Sequence, residues 1–339
     1  MEHNDKVFSD KSLTIGDIAE ELGLSKTTIS RAISGKGRIG EETRAKVMEF
    51  IRAHDYKPNV VAKGLAQSKT YNIGVVLPAD ANLSEIPFFQ GCLMGICEAA
   101  AEMDYDVVVT TVKEDDITFL KKLIQNQKVD GLVLTRALVN DLPAAFLKET
   151  KMPFVVIGSS EKEDIVQIDS DHIAACCELT SILLMTGCNS LAFIAGNQNH
   201  IVNRSRYEGY LKAFKDRGLL IDESLIYLDV INNMLIDQAV KSAMERKVDC
   251  IVCSDDLICS RVLTKLEEAG CSIPGDVKVA SFYNNSHLES HNPPITAINI
   301  NVDELGKTAA GKLVRMISGE DESNKTLVNY EILLRKSTK

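Results

Sequence analysis

From Tyr71 onward the sequence alternates short, wholly apolar runs with amphipathic segments, and few architectures accept that order. "NIGVVLP", "DVVVTTV", "DGLVLT" and "FVVIGS" are separated by "GCLMGICEAAAEM", "FLKKLIQNQ" and "PAAFLKE". In a second series, "SLAFIAG", "DCIVCS" and "VKVASF" are separated by "RYEGYLKAFKDRG", "IDQAVKSAMER" and "LICSRVLTKLEEAG". A strand with no polar face must be covered on both sides, as in parallel sheets wound between helices. Two such series predict two doubly wound lobes, the first of about residues 71–161 plus 293–325 and the second of about 162–292. The helix "VDELGKTAAGKLVRMIS" is expected to return to the first lobe with the last strand "NYEILLR", whose own sheet the pattern leaves open. Ligands of open α/β sheets lie beyond the C-terminal ends of the strands, so the cleft between lobes is the expected site.

The first 70 residues read differently. "TIGDIAEEL" opens with Thr14 as a cap and Asp17 in its first turn, and stops at Gly23. Ser25 caps "SKTTISRAI", where Ile29, Ala32 and Ile33 share an apolar arc and Lys26, Thr27, Ser30, Arg31 and Ser34 form the adjoining polar one. A third helix, "EETRAKVMEFIRAHD", has the acidic first turn that the helix dipole favours. Two short helices joined by a tight turn, the second with a small polar and basic face left free, have the form of a helix-turn-helix. Gly35, Gly37 and Gly40 stand at G-x-G-x-x-G spacing with Asp55 downstream. A dinucleotide turn needs a strand in front of it, however, and here a helix precedes it. The glycines therefore belong to a loop between helices.

The charge distribution agrees. The chain carries −10 overall, yet Ser25 to Thr70 holds ten Lys/Arg against four Asp/Glu, the pattern of a small polyanion-binding module on an acidic body. With 45% hydrophobic and 25% charged residues the chain is globular. Its start, "MEHNDKVFSDKS", lacks the basic-then-apolar pattern of a secretion signal, and no run approaches the roughly 20 apolar residues of a membrane span, so the cytosol (a cytoplasmic location) is expected. Nine scattered cysteines read as reduced, mostly buried thiols. Cys250 and Cys253 make a C-x-x-C inside an apolar strand, with no second pair at zinc spacing. His3, His54, His172, His200, His287 and His291 lack metal-ligand spacing, and no H-E-x-x-H, G-x-S-x-G or P-loop occurs. Neither an enzyme, a metal site nor a cofactor is expected.

The stretch from Leu13 to Pro78, followed by "PFF", "SRYEGY", "CSDDLICSRVL", "GCSIPGDVKVASF" and "PPITAIN", resembles the LacI/GalR family of bacterial transcription regulators. The resemblance covers nearly the whole chain. It implies an all-α helix-turn-helix headpiece over 1–57, a hinge helix and linker over 58–70, and a two-lobed, doubly wound, periplasmic-binding-protein-like α/β core over 71–339. It also implies a homodimer on near-palindromic operator DNA. Lys26, Thr27 and Arg31 then become the base-facing candidates, Arg31 being able to fork onto guanine O6 and N7. Ser25, Thr28 and Ser30 become phosphate candidates. "PNVVAKGL" matches the segment that lies in the minor groove beside the partner's copy, with Asn59, Ala62, Lys63 and Leu65 as its contacts. Leu65 holds the position of the leucine wedge that opens the central base step, and Lys63 stands where the family usually has arginine.

For the cleft, the resemblance implies an effector site. Phe88 and Phe89 match positions that stack on ligand, although an apolar pair opening a helix is as often core. Arg206 matches an arginine that bonds ligand hydroxyls or a carboxylate. Asp255 or Asp256 follows a strand end, and one of the two can instead cap the next helix. Where the family commonly has "GFD" or "GYD" this chain has "SFYNN", which puts Tyr283 at the ligand aspartate's position. Either Tyr283 stacks on the ligand or the polar contact has moved to Asn284 or Asp255. "LPADANLSEIPFF" and "IVNRSRYEGY" are similar to the maltose-regulator branch, pointing to an α-glucoside or related sugar. The implied function is a repressor whose operator affinity is set by a small-molecule effector, a sugar, between the lobes. The other reading is a cytosolic sugar-binding sensor without specific DNA function. Only "KSTK" follows the last strand, so a dimer is expected rather than a coiled-coil tetramer.

Overall fold

The computed structural model describes residues 13–34, 37–54, 56, 64, 68–80, 87–160, 162 and 164–339, in two units of residues up to 70 and 71–339. The hinge candidates Asn59, Ala62, Lys63 and Leu65 lie outside the described residues.

The first unit contains helices α1 (Ile15–Leu22), α2 (Lys26–Ser34) and α3 (Glu41–Ala53). Thr14 and Asp17 cap α1 reciprocally: the Asp17 amide donates to Thr14 Oγ1 at 3.3 Å and the Thr14 amide to Asp17 Oδ2 at 2.8 Å. Gly23 ends the helix at a φ of 65°, a conformation a side chain would oppose, and lets the Leu24 amide reach Ala19 O at 2.9 Å. Ser25 caps α2, accepting from the Thr28 amide at 3.1 Å. Ile18, Ile29, Ala32, Val47 and Tyr56 close a small core between the three helices. The apolar arc of α2 is thus spent on packing, and its other face is left outward.

In the second unit the first sheet is built on β1 (Asn72–Pro78), flanked by β2 (Asp106–Val112) and β3 (Gly131–Leu134). It continues through β4 (Phe154–Ile157) and β5 (Val166–Ser170) to β11 (Lys325–Val328), all parallel. In the second sheet β6 (Leu191–Ile194) lies between β7 (Ile226–Tyr227) and β8 (Cys250–Cys253). It continues through β9 (Lys278–Ser281) and β10 (Thr296–Ile300) to an antiparallel edge strand, β12 (Tyr330–Leu333). Helices α4 (Pro87–Glu102) and α12 (Val302–Ile317) cover one face of the first sheet, and α5 (Thr118–Gln125) and α6 (Leu142–Thr150) the other. The second sheet has α7 (His172–Met185) and α8 (Ile201–Asp216) on one face, α9 (Asn233–Glu245) and α10 (Asp256–Glu268) on the other, and a short turn α11 (Ser286–Ser290). Every residue of β3, β4, β6 and β8 is buried, as two-sided covering requires. Cys250 and Cys253 are buried, free thiols of β8.

The lobe boundaries differ from the expectation. β5 belongs to the first sheet, β10 to the second, and the last strand pairs with β10 rather than returning to the first lobe. The chain therefore leaves the first sheet after Ser170, returns after Ile300 and leaves again after Val328. The physical reason is that a strand apolar on both faces carries no local mark of its sheet, since only long-range pairing distinguishes the two. The terminal "KSTK" packs into the second lobe, where Ser337 Oγ accepts from the Thr296 amide at 2.8 Å and donates to Val279 O at 2.6 Å.

Helix α12 is held on the first lobe by close approach to α4. A Cβ added at Gly306 would lie 2.2 Å from Cys92 O, and one at Gly95 would lie 2.2 Å from Asp303 O. Because both obstructions are backbone atoms, neither helix can yield by rotating a side chain. Gly306→Ala should therefore destabilise the core by about 1–3 kcal/mol, read as a lowered melting temperature. Gly311→Ala on the same helix, where the added carbon meets only Arg315 Nη1 at 3.5 Å, should not.

Candidate DNA-reading helix and effector cleft

On α2, Ser25, Lys26, Thr27, Ser30 and Arg31 are exposed and Thr28 is half-buried, while Ile29 and Ala32 point into the core. The cap explains the position of Ser25 and Thr28: their hydroxyls lie 2.8 Å apart at the start of α2. The helix therefore presents a polar and basic strip without an acidic residue in its first turn, suited to the electronegative groove of DNA.

In the second unit a cleft of about 550 Å³ opens where the C-terminal ends of the strands in both sheets face each other. Phe88, Phe89, Arg206, Asp255 and Tyr283 all line it. Phe88 meets Phe89 edge-on at 5.4 Å between ring centroids and Tyr283 at 6.0 Å, so the aromatic wall is contributed by both lobes. Tyr283, at the position left open by "SFYNN", is part of that wall. Asn284 is not: it is buried away from the lining, donating to Asn299 Oδ1 at 3.1 Å and Glu289 Oε1 at 2.9 Å and accepting from Arg335 at 2.8 Å.

Asp255 has two duties. Its Oδ1 caps α10 by accepting from the Ile258 amide at 2.9 Å, and its Oδ2 accepts from Ser254 at 3.0 Å. Asp256 also lines the cleft and accepts from Asn285 at 2.7 Å. Burial, and next the Asp255 charge, push its carboxyl up to about 6. Arg206 on α8 is 7% exposed, and its Nε has no hydrogen-bond partner among the described residues.

Several lining residues went unread in the sequence: Asp80, Arg136, Asp169, His172, Asn197 and His200. They stand at or after the C-terminal ends of strands, a positional signal that becomes legible only once the strand boundaries are known. At the edge of the cleft Glu114, from the first lobe, accepts from Asn199 at 2.7 Å and Asn197 at 3.3 Å and lies 3.1 Å from His200 Nε2, all three from the second lobe. Burial and then the Arg136 charge push the His200 ring down, against the pull of Glu114. Arg136 holds Asp80 at 2.9 Å and, against burial, keeps that carboxyl below its usual range. Donor atoms of Asp80, Glu114 and His200 come within 4.8 Å of one another. A metal ion there would have to displace the Arg136 guanidinium, which already neutralises Asp80.

The Asp256 arrangement has a definite pH signature. Folding disfavours its charged form, so the penalty is full above pH 6 and disappears below the ordinary value of 3.8. Asp256→Asn should accordingly stabilise the fold at pH 7.5 by about 3 kcal/mol at most, read as a raised melting temperature. The advantage should narrow as the pH falls toward 4, measured by calorimetry beside the unmodified protein.

Comparison with known proteins gives two family matches. Residues 14–59 match the model for bacterial regulatory proteins of the lacI family, and residues 70–336 match that for periplasmic binding proteins and the sugar binding domain of the LacI family. The HTH-type transcriptional regulator MalR of Staphylococcus xylosus is 31% identical, over 96% of this chain and 98% of that protein. The structure of a transcriptional regulator, CelR, in complex with cellobiose is 26% identical with a TM-score of 0.73, over 96% of this chain and 99% of that one. The lac repressor dimer bound to operator and anti-inducer shares the fold, with a TM-score of 0.78 at 22% identity over 97% and 99% of the two chains. None of these matches is to an enzyme. The chain belongs to the LacI family of bacterial regulatory proteins, and is a helix-turn-helix transcriptional regulator carrying that family's sugar-binding type of core.

Proposed function

We propose that this regulator acts in the cytoplasm as a homodimeric repressor on a near-palindromic operator, and that a neutral sugar in the cleft sets its operator affinity. Lys26, Thr27 and Arg31 read base edges, and Ser25, Thr28 and Ser30 hold phosphates. Asn59, Ala62, Lys63 and Leu65 carry the minor-groove contact, with Leu65 as the wedge. Phe88, Phe89, Tyr283, Arg206 and Asp255 hold the effector.

The observation that carries the reading is Arg206: a buried guanidinium with an unmet donor, in a cleft lined from both lobes, in a chain that also bears a helix with an exposed basic face. Aromatic rings beside carboxylates and an arginine suit a sugar, which offers an apolar ring face and hydroxyls at once. The cellobiose complex of a relative and the MalR naming of another agree with a disaccharide. A ligand touching both lobes favours one relative orientation of them, and a tenfold change in operator affinity needs only about 1.4 kcal/mol of difference between orientations.

The test is a gel shift of the purified protein on the promoter of its own gene at fixed salt, with and without maltose and related sugars. A specific shift that responds to a sugar is expected. A specific shift indifferent to every sugar removes the effector assignment, and the absence of a specific shift returns the chain to the sensor reading. In the same assay Arg31→Ala should relax base preference at one operator position by about 1–3 kcal/mol. Arg206→Ala should leave operator binding intact and abolish the sugar response; loss of operator binding instead would make Arg206 structural.

A further inference from the structure

The cleft holds a second buried group with an unmet hydrogen bond besides Arg206. His172, the first residue of α7, is 7% exposed and lines the cleft, and its Nδ1 has no partner among the described residues. Its other nitrogen, Nε2, lies 3.2 Å from Asp169 Oδ1. Asp169 is itself fixed: Oδ1 accepts from the Ser170 amide at 2.8 Å and Oδ2 from Ser159 Oγ at 2.7 Å. The ring is therefore anchored at one end by a carboxylate that cannot easily turn away. Buried polar atoms without partners are uncommon in folded proteins, and two on adjacent packed helices lining one cavity call for a common explanation.

We propose that His172 is an effector-recognition residue which, together with Arg206, makes the cleft selective for an uncharged polyol over its phosphorylated or carboxylated form. This rests on the cleft being the effector site, as proposed above. In the neutral ring, donation of Nε2–H to Asp169 leaves Nδ1 as a lone-pair acceptor, whereas the Nε–H of Arg206 can only donate. A sugar hydroxyl serves both, because it donates through its hydrogen and accepts through its oxygen. A carboxylate or a fully ionised phosphate offers only acceptors, so it can satisfy Arg206 but meets the His172 lone pair with one of its own. Charge acts in the same direction. Asp80, Asp169, Asp255 and Asp256 line the cleft against Arg136 and Arg206, and an anion entering among them is repelled.

The experiment is calorimetric titration of the full chain with maltose, cellobiose, sucrose and trehalose, each against its 6-phosphate, repeated on His172→Leu. Operator gel shifts and melting curves without sugar serve as controls for folding. The expected result is that at least one neutral disaccharide binds and its phosphate binds at least tenfold more weakly. His172→Leu should lose at least tenfold in sugar affinity while keeping sugar-free operator binding. If His172→Leu does not fold, His172→Gln takes its place; its side chain retains an accepting oxygen and should keep more of the affinity than His172→Ala. Undiminished sugar binding by the folded variants would overturn the role of His172 and leave the effector site standing. A phosphorylated sugar binding as tightly as its neutral form would overturn the selectivity. If no sugar of the panel binds the unmodified protein, the sugar reading of the cleft itself falls, and this inference with it.

Discussion

Two sheets, each with its own helices, are bound into one core by three passages of the chain between them. The cleft is a product of those passages. Two of them bring a strand end and a capped helix start together: Asp171 caps α7 by accepting from the Ala174 amide at 2.9 Å, and Asn301 caps α12 by accepting from the Glu304 amide at 3.2 Å. The passage into α12 is secured by backbone contact at Gly95 and Gly306, where only hydrogen fits between the helices. Without that fit α12 could not lie flat on the first sheet, and β11, which follows it, would not reach β5.

Because strand ends from both sheets converge, polar groups gather where the fold supplies few partners for them. Some find partners across the cleft, as Glu114 does with Asn197, Asn199 and His200. The loop after β3 adds backbone bonds of the same kind, with the Val139 amide reaching Asn199 O at 2.9 Å and the Ile201 amide reaching Ala137 O at 3.2 Å. Others, Arg206 Nε and His172 Nδ1, find none among the described residues. The first set ties the lobes in one orientation, and under the proposed effector site the second is where the ligand would bind, so ligand binding and lobe orientation would draw on the same surface. That shared surface is the physical basis for an effector that changes the conformation of the whole core.

Much of the architecture was legible before any coordinates. The caps at Thr14 and Ser25, the stop at Gly23 and the packing of Ile29 and Ala32 are local matters, settled by residues three or four positions apart. The failure of the glycine triplet as a dinucleotide turn was legible for the same reason, since a helix and not a strand precedes Gly37. Of the cleft residues, those carried by a family motif, such as Arg206 and Phe88, were accessible. Asp169 and His172 had no such mark. Asn284 shows the limit of a motif, because its neighbour Tyr283 faces the cleft while its own amide is held by Glu289 nearby and by Asn299 and Arg335 from further along the chain.

The sequence by itself determined the two classes of structure and their order, three helices followed by a repeated alternation of strand and helix, because periodicity and capping act over a few residues. It also determined that the polar face of α2 would be the outward one, since the apolar arc leaves no other. Only the tertiary structure decided which sheet β5, β10 and β12 join, because strands buried on both faces look alike until they are paired. It likewise decided which of several polar residues beyond the strand ends are left unsatisfied. Satisfaction of a donor or acceptor is a property of its surroundings, and in this core those surroundings come from remote segments, 158 residues apart in the bond from Ser170 Oγ to Val328 O.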